Sequence, residues 1–317
     1  MRNAFSDALV AAALADSKVL LLTGDHGYAL FDAFRKARPE QYINCGVAEQ
    51  NMVGVAAGLA KAGFKPIVYG LAAFVPVRVL EQIKIDVCYE SLPVILIGDG
   101  AGLVYSHLGA SHQSTEDIAC VRAIPELTVL SPADRFEMTA TMRLALQLAS
   151  PVYLRVGKSD RGDVHPGPIE LRAGQLVQVR KGARRIALLA TGSMVKTAQE
   201  LADQGLDAEV WSVPSIKPLS SQQLAEITSR VDGIVTLEEH SIMGGLGACV
   251  AENVAGQRRP LPICRIGVED RFSSYCGTWD YLLQEHRLDL PSVKQRVDAF
   301  LFNCTRRGPP EATACTD

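Results

Sequence analysis

The stretch "YINCGVAEQNMVGVAAGLAKAGFKPIVYG" runs from Tyr42 to Gly70 and carries the alternation on which the fold depends. Gly46, Gly54, Ala56, Ala57, Gly58 and Ala60 give a helix whose faces admit another backbone at close range, a device for a buried or subunit-facing helix. One acid, Glu49, falls in its first turn. The plain reading of a lone Glu there is a surface carboxylate complementing the helix dipole. "KPIVYG" (Lys65–Gly70) then reads as a short buried strand. Helix followed by strand, repeated along a chain, predicts an α/β fold with mostly parallel sheets.

The alternation extends in both directions. "KVLLL" (Lys18–Leu22), "LPVILIG" (Leu92–Gly98), "LTVL" (Leu127–Leu130) and "PVYLRV" (Pro151–Val156) read as further strands. Between them, "VPVRVLEQIKIDVCYE" puts Leu80, Ile83 and Val87 on one helical face and Arg78, Glu81 and Lys84 elsewhere, with Pro76 suited to the first turn. "GKSDRGDVHPGPIELRAG" (Gly157–Gly174) is rich in Gly, Pro and charge and reads as a linker. Beyond it "RRIALLAT", "AEVWSV", "DGIVTLEEHS" and "PICRIG" restart the strand pattern. The expectation is two α/β domains, residues 1–160 and 183–303, joined by a linker over 161–182. The polar tail, 304–317, is expected to be disordered.

Composition narrows the function classes. At 317 residues and 48% hydrophobic, the chain can bury two ordinary cores. A net charge of −3 gives no electrostatic footprint for nucleic acid or an anionic membrane. No apolar run approaches the ~20 residues of a membrane-spanning helix. "MRNAFSDALVAAALADS" reads as an amphipathic helix without a signal-peptide cleavage pattern. The eight cysteines are scattered singly, which points to reduced thiols and a cytoplasmic protein.

Several loops could carry chemistry, and most have a plainer explanation. "IGDGAG" (Ile97–Gly102) contains the Gly-Asp-Gly that opens the metal–diphosphate motif of thiamine diphosphate enzymes. That motif needs downstream Asn ligands, and "STEDIACVRAIPEL" supplies none, so a strand-end turn is the better reading. "LLATGSMV" (Leu188–Val195) is strand, Gly turn and helix, a weak anion seat. "EEHSIMGGLG" (Glu238–Gly247) lacks metal-ligand spacing.

Taken together, "GVAEQNMVGVAAGLAKAGFKPIVYGLAAFVPVRVLEQIKIDV", "GASHQSTEDIACVRAIPELTVLSPAD" and "GIVTLEEHSIMGGLG" resemble the transketolase family, over nearly the whole chain up to about residue 303. "GVAEQN" is similar to the family's Gly-Ile-Ala-Glu-Gln element, "SHQSTED" to its Thr-His-Gln loop and "IGVEDRF" to its Asp-Arg-Phe segment. The likeness is to the pyrimidine-binding and C-terminal domains. The preceding family domain, with the diphosphate and Mg²⁺ ligands, has no counterpart. The resemblance therefore implies one subunit of a split transketolase-like enzyme, completed in a heterotetramer by an N-terminal subunit carrying that half.

Glu49 then acquires a second reading. By resemblance it hydrogen-bonds the N1′ nitrogen of the aminopyrimidine of thiamine diphosphate, favouring the imino form that deprotonates the thiazolium carbon. The chemistry calls for a carboxyl in an apolar pocket, where its pKa is expected to rise. The resemblance also makes Phe74 an aromatic stacked on the aminopyrimidine, and Leu71 and Val47 apolar lining. Arg78 becomes an arginine near the cofactor, and Asp25 an acid at the cofactor interface. His26, beside it, has no firm counterpart. His112 matches a substrate-facing histidine assisting proton transfer. Leu108 stands where the family has an Asp that contacts a substrate hydroxyl, which argues against a standard pentose-phosphate pair. Arg155 and Lys158 match or adjoin residues that hold a substrate phosphate, whereas Gly100 replaces a further arginine.

The implied activity is transfer of a two-carbon ketol or acyl unit between a keto donor and an aldehyde or ketone acceptor. The substrates would be small keto compounds or sugars, with or without a phosphate. The beta subunit of a 2-oxo-acid dehydrogenase decarboxylating component has the same two domains and is the alternative; the Asp-Arg-Phe segment and "GASHQSTED" favour the transketolase side. A non-catalytic assembly partner is the third reading, opposed by the presence of both Glu49 and His112.

Overall fold

The computed structural model describes residues 1–27, 29–158, 160–257 and 261–306. The N-terminal half holds strands β1 (Val19–Thr23), β2 (Tyr42–Asn44), β3 (Lys65–Leu71), β4 (Ile95–Asp99), β5 (Thr128–Leu130) and β6 (Val152–Val156). The C-terminal half adds β7 (Val177–Arg180), β8 (Arg184–Ala190), β9 (Ala208–Ser212), β10 (Ser215–Lys217), β11 (Gly233–Ser241) and β12 (Ile263–Val268). Among the described residues they form one sheet in the order β10-β5-β6-β4-β3-β1-β2 and another in the order β12-β11-β8-β9-β7. Strands β1 to β6 pair with one another only in parallel. Every residue of β1, β4 and β6 is buried, as expected of a parallel sheet covered by helices on both faces.

The strands foreseen from sequence are present with ends shifted by a few residues. Three short ones were not foreseen. β7 lies inside the presumed linker and pairs antiparallel with β9, so the second sheet begins at Val177 rather than after residue 182. β10 belongs to the C-terminal half yet closes the edge of the first sheet, antiparallel to β5. β2 is a three-residue edge strand beside β1. The last helix, Leu290–Arg306, extends past residue 303, so residues 304–306 are helical rather than part of a disordered tail; residues 307–317 lie outside the described residues.

Two features of this frame position the site. First, β1, β3, β4 and β6 run side by side in parallel, so the loops after Thr23, Leu71, Asp99 and Val156 all leave one edge of the sheet. In open α/β sheets that carboxyl edge is where ligands bind. Second, the Glu49–Lys61 helix divides its small residues. Met52, Val53, Ala56, Ala57 and Ala60 pack inward, whereas Val55 and Gly58 face out. A methyl group added at Gly54 or Gly58 would meet nothing within the chain.

The two halves are joined by apolar and polar contacts alike. One core cluster includes Val68 and Leu96 of the first sheet together with Leu189 and Ile234 of the second. Arg122 pairs in bidentate fashion with Glu252 and donates to the Gly244 carbonyl. Glu239, buried between the halves, accepts from the Leu103 amide, Ser193 and the Trp279 indole.

Candidate functional site

The chain turns at Gly46, whose positive φ of 69° suits glycine, and its amide is capped by the Asn44 side chain. That turn makes Glu49 the first residue of its helix. The side chain is not on the surface: Glu49 is only 3% exposed. Its Oε2 pairs with Arg78 Nη1 at 3.0 Å. Its Oε1 is buried without a hydrogen bond, and His26 Nε2, 3.7 Å away, is likewise unpartnered.

Loops from the carboxyl edge of the sheet converge here. Phe74 and Arg78 come from the segment after β3, His26 from the turn after β1, and His112 from the loop after β4. The Arg78 guanidinium lies 4.1 Å from the Phe74 ring centroid. The His112 ring meets Phe74 edge-on at 5.4 Å, and the His26 ring lies 6.5 Å from it. The structure therefore brings together Glu49, Phe74, Arg78 and His112, the residues picked out in sequence, and adds His26. Sequence reasoning had only one signal for His26, a histidine directly beyond Asp25 at a strand end.

The other predicted positions differ in their surroundings. Leu71 ends β3 and is half-buried. Asp25 is exposed, adopts φ 60° and accepts weakly from Asn44 Nδ2. Val47 is 72% exposed, so within the single chain it faces solvent rather than lining an apolar pocket. Leu108 is exposed on a short helical turn of the His112 loop. Lys158 pairs with Asp160 and lines a cleft of about 440 Å³ with His107, Arg161 and Trp279, which has no lining residue in common with the Glu49 cluster.

Two expectations are corrected. Arg155 was expected to face a substrate phosphate. It is buried instead, pairing with Asp117 at 2.8 Å and donating to the Ser114 and Glu239 carbonyls. It is a strut between the halves. The Glu49 carboxyl was expected to titrate high. Burial does push it up, but its own backbone N–H, the Arg78 bond and the positive charges of Arg78 and His26 outweigh that and hold it below the usual carboxylate range.

Gly-Asp-Gly is the turn it was read as. Asp99 accepts from the Tyr69 and Tyr105 hydroxyls and from Arg2, and Gly100 sits against the Tyr105 ring. Glu238 caps the Leu246–Ala255 helix by accepting from the Leu246 and Gly247 amides. Among the described residues, no cluster of three or more His, Cys, Asp or Glu side chains could hold a metal ion, and no helix is long and apolar enough to cross a membrane.

Comparison with known proteins bears directly on this arrangement. Residues 1–162 match the description "Transketolase, pyrimidine binding domain", and residues 174–292 match "Transketolase, C-terminal domain". The chain belongs to the transketolase family. It is 34% identical to an apulose-4-phosphate transketolase subunit of Phocaeicola vulgatus, over 85% of this chain and 87% of that one. It is also 34% identical to the 6-deoxy-6-sulfo-D-fructose transketolase subunit SqwH of a Clostridium species, over 92% of each. A solved structure described as "Split gene transketolase, inactive beta4 tetramer" superposes with a TM-score of 0.85 at 33% identity, covering 95% of this chain and 97% of that one. The first two relatives are transketolase subunits of much the same extent as this chain. Both transketolase domains fall on the halves seen in the fold, and the Glu49 cluster lies in the pyrimidine-binding one.

Proposed function

We propose that this chain is the pyrimidine-side subunit of a split, thiamine diphosphate-dependent transketolase. It moves a two-carbon ketol unit from a keto donor to an aldehyde acceptor, and it acts only with a partner subunit holding the diphosphate and Mg²⁺. The observation that carries the reading is the Glu49 carboxyl. It is buried, with one oxygen fastened by Arg78, whose guanidinium lies over the Phe74 ring, and the other left without a hydrogen bond 3.7 Å from His26 Nε2. A half-satisfied buried carboxylate is costly unless a ligand completes it. An aminopyrimidine fits in the tautomer whose ring nitrogen carries the proton: that N–H would donate to the carboxylate, and the ring would turn a flat face to Phe74.

When bound, thiamine diphosphate supplies the nucleophilic carbon on which a two-carbon unit is carried. The residues of this chain do the rest of the proton work. Glu49, held ionised by Arg78, accepts at Oε1 from the ring nitrogen and so stabilises a proton there. Phe74 and Leu71 shield the ring from water, with Val47 and Asp25 at the rim that the partner would cover. His112, against the outer edge of Phe74, is placed to exchange a proton with the substrate carbonyl oxygen. Lys158, in the cleft with His107 and Arg161, suits the distal anionic group of a substrate. The names of two relatives, a 4-phosphate and a 6-sulfo sugar transketolase, support an anionic substrate. Leu108 in place of an acid disfavours a hydroxyl read at that point.

Isothermal titration tests the assignment. The purified chain alone should bind thiamine diphosphate and Mg²⁺ weakly. With the partner it should bind one cofactor per site, in an assembly of two copies of each chain. Tight stoichiometric binding by the chain alone would contradict the split site.

A further inference from the structure

Among the described residues, the His112 ring has one hydrogen-bond partner, the exposed Ser111 hydroxyl 3.0 Å from Nδ1. Its position therefore rests on its edge contact with Phe74 and on the backbone of the loop that carries it. That loop, residues 100–115, contains a single short helical turn, Ser106–Leu108. The His112 and Gln113 amides both donate to the Gly109 carbonyl, at 3.0 and 3.1 Å, in a local turn. The base of the loop is closed by Gly102 and Ser114, whose amides each donate to the other's carbonyl, and its outer turn is fastened by the Gln113 side chain, 6% exposed, which reaches out of the domain.

Gln113 Oε1 accepts from the Ser273 hydroxyl at 2.7 Å. Ser273 directly follows the Asp-Arg-Phe segment of the C-terminal domain, a motif to which the proposed function gives no task. Its Oγ also lies 2.8 Å from the buried His286 Nε2. A serine has one proton to give. With that proton on Gln113, His286 Nε2 carries its own hydrogen and donates to Ser273. Burial and the Arg271 charge lower the His286 pKa, which favours this neutral donor form. The order is His286 to Ser273 to Gln113. The same segment touches the loop twice more. The Gly277 amide donates to the Ser106 carbonyl, and Cys276 Sγ lies so close to Gly109 that a methyl group there would meet it at 2.9 Å.

We propose that Ser273 is a positioning residue for His112. Through Gln113, the C-terminal domain sets the placement of a group that works in the other domain. The inference rests on the role given to His112 above, but the tether itself is testable apart from it. Conservative replacement separates a tether from mere bulk: Ser273→Ala deletes the hydroxyl, and Ser273→Thr keeps it.

Amide hydrogen exchange on the full-length chain reads the tether directly. Residues 104–115 should exchange roughly tenfold or more faster in Ser273→Ala, and at the wild-type rate in Ser273→Thr. In the complex reconstituted with its partner, with hydroxypyruvate as two-carbon donor, Ser273→Ala should lower kcat about ten- to a hundredfold. KM should stay near its wild-type value, and threonine should restore kcat. Deuterium uptake at the thiazolium carbon, which depends on Glu49, should not change. Unchanged loop exchange together with unchanged kcat in Ser273→Ala would overturn the proposal. So would an equal loss of uptake and turnover with a lowered Tm, since that marks general destabilisation. If the wild-type complex neither exchanges nor consumes hydroxypyruvate, the transketolase reading fails, and the loop exchange still decides for or against the tether.

Discussion

Glu49 is a residue whose two neighbours pull against its burial. The Arg78 bond and charge hold the carboxyl below its ordinary range despite its lack of exposure. A depressed carboxylate contributes stability that is present above its unfolded pKa and lost as the pH falls through the native one. Arg78→Met removes the main counter-charge and leaves only the Glu49 backbone N–H and His26 to oppose burial, so the Glu49 titration should move upward. Carboxyl carbon shifts followed against pH would show this; an unmoved midpoint would mean Arg78 does not set the state of Glu49. Leu108 makes a second prediction at this scale. If it faces the substrate, Leu108→Asp should raise kcat/KM for α-hydroxylated over deoxy acceptors, and an unchanged ratio would place it elsewhere. The residues alone read Glu49 as a surface carboxylate; the resemblance points to a pocket, and the structure buries the side chain. Its pKa was not legible, because the counter-charge lies 29 residues along the chain and no sequence period brings it near.

At the scale of elements, the strands that were legible are those whose apolar residues cluster between turn or helix signals, such as β1 and β4. β2, β7 and β10 were not, because three or four partly polar residues carry no detectable period. Their strand character comes from the neighbour they pair with. Arg155 failed for a related reason. The resemblance gave it a substrate phosphate, and only the packing of β11 against β6 makes it an internal strut. Arg155→Met should leave Asp117 as an uncompensated buried charge and cost about 3–5 kcal/mol. Chemical denaturation would measure that loss. A loss under ~1 kcal/mol with weakened substrate binding would return Arg155 to the substrate.

At the scale of the molecule, the pyrimidine-binding half presents a site with one wall. Glu49 and Phe74 supply one side, while Val47 and the outer face of the Glu49–Lys61 helix remain open to solvent. The central claim is that the Glu49 carboxyl drives proton removal from the cofactor. Its most direct test is hydrogen–deuterium exchange at the thiazolium carbon in the complex reconstituted with its partner. Glu49→Ala should assemble normally and bind the cofactor with little loss, yet exchange about a hundred- to ten-thousandfold more slowly. Exchange at the wild-type rate in a correctly assembled Glu49→Ala complex would contradict the account.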